Sequence, residues 1–70
     1  MNISFAINEG IKILKENSII NASLDAEILM AQAIKKDRKF ILLNLNKRVN
    51  KKHLYNFKKL IKNRSRRMPV

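Results

Sequence analysis

The chain has 70 residues, with 16 Lys+Arg against 5 Asp+Glu for a net charge of +11, one glycine, one proline and neither cysteine nor tryptophan. So short a chain is at most one small domain that buries about 60% of the surface its unfolded form exposes, which leaves no material for a large catalytic cleft and argues against an independent enzyme. The lack of cysteine excludes a disulfide framework, a thiolate metal site and a cysteine nucleophile together, and suits a reducing cytoplasm.

The 3.6-residue hydrophobic period recurs four times, so the sequence predicts an all-α fold, a small bundle of four to five short helices. In the first helix Ile3, Ile7, Ile11 and Leu14 share one arc with Ala6 and Gly10 beside it, while Asn8, Lys12, Lys15 and Glu16 lie opposite. Asn2 or Ser4 supplies the N-cap. Phe5 projects onto the polar side and is therefore either exposed or covered by something outside this helix. Asn17 to Ala22 breaks the pattern, and Asn21 or Ser23 opens a second helix running through Leu24, Ile28, Ala31 and Lys35, with Leu29, Ala33 and Ile34 widening its apolar face. This is predicted to be the central, most buried helix. Asp25 and Glu27 stand in its first turn, where the helix dipole favours a negative charge by about 0.3–1 kcal/mol. Capping accounts for both carboxylates, and an acid–base pair would need a cleft, a metal or a nucleophile that the sequence does not offer.

Asp37 is the N-cap of a short third helix carrying Phe40, Ile41, Leu43 and Leu42, followed by a polar loop from Asn44 to Asn50. Asn50 caps the fourth helix, with Val49 and Leu54 at the spacing of a hydrophobic staple. On that helix Leu54, Phe57, Leu60 and Ile61 form an apolar arc. Lys51, Lys52, Lys58, Lys59, Lys62 and Arg66 form a basic one that includes Tyr55. Arg64 falls in the apolar arc near Phe57, so either the helix frays there or the guanidinium meets a group absent from this chain; the second reading is preferred.

Charge is distributed unevenly. Residues 1–34 carry Lys12 and Lys15 against Glu9, Glu16, Asp25 and Glu27, whereas residues 35–70 carry 14 basic residues against Asp37 alone. An electrostatic partner therefore meets the second half. Lys, Asn and Ile together supply 30 of the 70 residues, so codon usage in an A+T-rich genome accounts for part of the excess. Uninterrupted apolar runs reach only four residues, which leaves no membrane span or signal-peptide core and predicts a soluble protein. A single glycine cannot build a dinucleotide or phosphate loop. His53 is the only histidine and stands without the second ligand or carboxylate that metal binding or base catalysis requires. Lysines with an interleaved tyrosine are also what a small nucleic-acid-binding module would present, although no helix-turn-helix glycine separates the second and third helices.

The stretch Leu24-Asp25-Ala26-Glu27-Ile28-Leu29-Met30-Ala31, about a dozen residues after a helix ending near Leu14 and followed by Asp37-Arg38, resembles the N-terminal region of bacterial release-factor glutamine methyltransferases of the HemK type. The tail, Arg64-Ser65-Arg66-Arg67-Met68-Pro69-Val70, stops at the Pro-Val that in this family leads towards the catalytic domain. Arg67 and Met68 depart from the Gly and Glu common before that proline. The resemblance covers nearly all 70 residues in one register. It implies a helical substrate-recognition domain over 1–66, the start of an interdomain linker at 67–70, and a Rossmann-like catalytic domain outside this chain.

It also implies that the parent enzyme is cytoplasmic and moves a methyl group from S-adenosylmethionine to the side-chain amide of the glutamine in the Gly-Gly-Gln motif of peptide chain release factors. The expected partners of the domain are then the release factor and its own catalytic domain, with no membrane. The expected partner-binding residues are Lys58, Lys62, Arg64, Arg66 and Arg67, and no catalytic, cofactor or metal residue is expected in this chain. Met1 suggests a native start and Pro69-Val70 a cut. Two other readings are a free-standing basic helical module that binds nucleic acid and, ranked last, a membrane-surface helix, whose apolar face the bundle core needs for itself.

Overall fold

The computed structural model describes residues 1–66. Four α-helices follow one another: α1 (Ile3–Glu16), α2 (Ala22–Ile34), α3 (Arg38–Leu43) and α4 (Lys51–Arg66). No strand forms among the described residues beyond an isolated bridge between Asn2 and Arg48, so the fold is the small all-α bundle that the periodicity predicts. The expected linker at 67–70 lies outside the described residues.

Three helix starts are capped by side chains. The Oδ1 atoms of Asn2, Asp37 and Asn50 accept the backbone N–H of Phe5, Phe40 and His53, each at 2.8 Å, and each bond satisfies one of the donors that a helix start leaves without an intrahelical acceptor. Asn2 rather than Ser4 is thus the cap of α1. Two more donors of that helix are met from a distance, because the N–H groups of Ile3 and Ser4 donate to the carbonyls of Lys47 and Leu45, both at 2.9 Å. The predicted polar loop is therefore a strap across the start of α1, whose Val49 is buried and has its N–H bonded to the Met1 carbonyl. Asn21 occupies the cap position of α2 without a side-chain bond.

The ends of α1 and α2 share one device. Ile19 N–H reaches back to the Leu14 carbonyl and Lys36 N–H to the Ala31 carbonyl, both at 3.0 Å, with Ser18 (φ 61°) and Lys35 (φ 65°) in the left-handed conformation between. These are Schellman-type stops made without glycine. Lys35 is accordingly a helix terminator and not a member of the buried stripe.

α2 packs against all three other helices, as expected of the central helix, and α1 also meets α4. Its buried face is the expected one in part: Ala31 and Ala33 are buried and Leu29 and Ile34 pack partly buried against the core, but the rest of the face differs. Ala22, Ala26, Met30, Ala31 and Ala33 are buried, while Leu24 and Ile28 remain 41% and 39% exposed. The segment is apolar nearly all round, so periodicity could not choose a face, and the alanines are inside because small side chains let helices crowd against α2 from several sides. Ile3, Leu14, Ile41, Phe57 and Ile61 complete the core around Met30. Leu43, counted among the apolar residues of α3, is 73% exposed.

Gly10 stands where α1 meets α4. A Cβ built on it would lie 2.8 Å from Phe57 Cζ and 2.9 Å from Ile61 Cδ1, so the helix contact depends on the absent side chain. The chain's one glycine is used for this close approach, not for a turn.

Candidate functional site

α4 carries seven basic residues and no acidic one. The helix buries Phe57, Ile61 and Ser65, and that choice of inner face throws Lys58, Lys59, Lys62 and Arg66 outwards, where they are exposed and line a shallow depression with Tyr55 and Asn63. Among the described residues the two ion pairs are Arg38 with Glu27 at 2.8 Å and Arg64 with Asp25 at 3.0 Å. Asp37 is occupied as a cap, and Glu9 and Glu16 lie on α1. Among the described residues the outer cations of α4 therefore have no ion-pair partner, and their field points at solvent.

Three of the expected partner-binding residues, Lys58, Lys62 and Arg66, come together on this face. Arg64 does not. Its Nε and Nη2 donate to Asp25 Oδ2 at 3.1 and 3.0 Å, so the expectation that its guanidinium awaits a group outside this chain is corrected: the group is a carboxylate on α2, 39 residues earlier. α4 stays helical through Arg66, and Arg64 keeps its polar end in a half-buried pair at the edge of the core. Arg67 lies outside the described residues. Asp25 stands in the first turn of α2 as expected, but Glu27 does not, because the helix begins at Ala22; each holds an arginine of a following element, Asp25 tying α2 to α4 and Glu27 tying it to α3.

A second concavity escaped the sequence reading. Between α1 and α4 runs a groove of about 410 Å³ floored by Ala6, Gly10, Leu54, Phe57 and Ile61, with Ile13 at its edge. Glu9 lines it from α1, and Lys58 and Lys62 from α4, so these two lysines belong to both surfaces. The signal for it was present in Ala6 and Gly10, two small residues four apart on the buried side of α1, which mark where another helix comes close. Nothing local to the sequence says which helix that is.

Phe5 is 54% exposed, as its wheel position predicts, in a shallow depression with Met1, Asn2, Asn46 and Arg48. His53 is half-buried in the first turn of α4. Among the described residues no three His, Asp or Glu side chains gather as metal ligands would, and no helix is long and apolar enough to cross a membrane. A shallow charged face and an apolar groove thus lie side by side on α4, sharing Lys58 and Lys62.

The family model for the PrmC N-terminal domain matches residues 6–70. The chain belongs to the PrmC N-terminal domain family. It is also 36% identical over 62 residues to a release factor glutamine methyltransferase of Clostridium botulinum (strain Hall), a match that takes in 89% of this chain and 22% of that protein. The chain thus spans about a fifth of the length of this curated relative. No solved structure matches it. The resemblance carried by Leu24 to Ala31 and the basic tail is borne out, and the PrmC-type domain can be placed on the four helices: the match begins at Ala6, on the buried face of α1, and includes all of α2, α3 and α4.

Proposed function

We propose that this PrmC-type domain binds peptide chain release factors and orients them for methylation of the glutamine of their Gly-Gly-Gln motif by a catalytic domain outside these 70 residues, in the cytoplasm. The observation that carries this reading is the outer cationic face of α4, which forms no ion pair among the described residues, in a domain whose relative is named for release factors. Such a domain contributes binding energy and not bond chemistry. Holding a large substrate by a rigid part turns the approach of its glutamine to the methyl donor into an intramolecular search, which removes much of the entropic cost of a reactive pose. Lys58, Lys59, Lys62 and Arg66 would attract an acidic surface of the release factor, chiefly by raising the association rate.

The residues described here do not fit S-adenosylmethionine. Gly10 is locked in the contact of α1 with α4 and builds no glycine-rich loop, and the groove sets two lysines against one carboxylate, Glu9, around a cationic donor whose ammonium and ribose hydroxyls need acceptors. On this reading the catalytic domain would bind the methyl donor and contact this domain.

The test is stopped-flow association of a fluorescent release factor with this chain at several salt concentrations. The association rate is expected to fall about tenfold or more between low salt and 0.5 M salt, and the Lys59→Glu/Arg66→Glu variant should lose most of that dependence. A rate indifferent to ionic strength refutes steering by α4. Tighter binding to single-stranded RNA than to the release factor would move the function to nucleic acid, for which Tyr55, 68% exposed among the lysines, is the favouring observation.

A further inference from the structure

The cationic face of α4 explains attraction but little specificity, since exposed lysines accept many acidic surfaces. The groove beside it supplies what the face lacks. It is concave, its floor is apolar, and its volume of about 410 Å³ lies within the range of about 300–1,000 Å³ in which pockets enclose specific ligands. Ile13 is 41% exposed at its edge while Phe57 and Ile61 beneath are 2% exposed, so a side chain entering here would cover Ile13 and rest on a floor that does not need to move. Buried anchors of this kind dominate the energy of protein interfaces.

The charge around the groove selects the neighbours of the entering side chain. Lys58 and Lys62 stand one helical turn apart along its α4 wall, while the α1 wall carries a single carboxylate, Glu9. An apolar group flanked by a carboxylate on the α4 side gains from both features. A nucleotide would bring phosphate to the lysines but set most of its base against Leu54, Phe57 and Ile61, where only Glu9 and Ser65 of the lining could meet its polar edges.

We infer that the groove between α1 and α4 seats an apolar anchor side chain of the partner protein, borne on a short segment whose adjacent carboxylate pairs with Lys58 or Lys62. This rests on the reading of the domain as release-factor-binding and names the part of that surface which gives it selectivity.

The chain has no cysteine, so single substitutions take a polarity-sensitive fluorophore cleanly. Ile13→Cys places the label at the groove, and Gln32→Cys places it on the exposed side of α2 as the control. On titration with a release factor, the label at position 13 is expected to shift to the blue and the label at 32 to stay unchanged. In the unlabelled chain, Ile13→Asp should weaken binding at least tenfold, with the far-UV circular dichroism of the helical bundle retained; if that variant does not fold, the labelled chains decide.

Failure of the unsubstituted chain to bind a release factor at all would overturn both the proposed function and this inference. Binding that leaves the label at 13 silent, or that Ile13→Asp does not weaken, would overturn the inference alone. A blue shift at 13 driven by single-stranded RNA, or by raising the concentration of the chain itself, with release factor silent, would replace the anchor by a nucleic acid or by a second copy of the domain.

Discussion

Gly10→Ala sets two opposing effects of known size against each other. Glycine inside a helix costs about 1 kcal/mol relative to alanine, so at an open position of α1 the substitution should stabilise by that amount. At position 10 the new methyl would lie 2.8 Å from Phe57 Cζ, 2.9 Å from Ile61 Cδ1 and 3.2 Å from Phe57 Cε2. Carbon atoms in contact prefer about 3.5–4.0 Å, so α4 must retreat or both side chains must leave their rotamers. Each is only 2% exposed and has little room to do so. Overpacking of this kind costs about 1–3 kcal/mol, which leaves a net loss of about 1 kcal/mol and a fall in Tm of about 4–8 °C in a domain of this size. Urea unfolding and thermal melts followed by circular dichroism measure both quantities. In an Ile61→Val background, which removes Cδ1, the loss should shrink. Stabilisation by about 1 kcal/mol in both backgrounds would refute the close approach of α1 and α4 at Gly10.

Three further outcomes are expected. A double-mutant cycle on Asp25→Asn and Arg64→Met should return a coupling of about 0.5–1 kcal/mol, modest because the two side chains are 21% and 35% exposed and solvent screens them; a coupling of zero in urea unfolding would mean that the pair does not form. Lys35→Gly should stabilise by about 0.5–1 kcal/mol, since a lysine at φ 65° bears a strain that glycine does not, and a loss in Tm would contradict the left-handed stop of α2. Leu24→Gln should change stability by no more than about 0.5 kcal/mol, whereas Ala26→Leu, at a site with no exposure, should cost about 1–3 kcal/mol; the reverse order in the same melts would restore the face of α2 that periodicity favours.

Much of the architecture was legible because it rests on local rules. Asn2, Asp37 and Asn50 cap helices through their own side chains three residues on, and Phe57 and Ile61 face inwards because α4 is strongly two-sided, which also places Lys58, Lys62 and Arg66 outside. Where a segment lacks a polar side the rules fall silent. α2 could be recognised as central but only partly oriented, since Leu24 and Ala26 are both acceptable to a core and only the space left by α1, α3 and α4 decides between them. The stops at Ser18 and Lys35 were hidden for a related reason, because the residues usual at left-handed positions are glycine and asparagine.

By itself, then, the sequence determined the helical class, the starts of α3 and α4, the cationic face and the membership in the PrmC N-terminal domain family, all of which depend on residues close together in the chain or on their order. Only the tertiary structure decided the partner of Arg64, the inner face of α2, the strap of residues 45–49 over the start of α1 and the groove beside Gly10. Each of these joins segments far apart in sequence, such as Asp25 with Arg64 or Ile3 with Lys47. Such contacts depend on how the helices pack in space, a property of the whole bundle that no single segment carries.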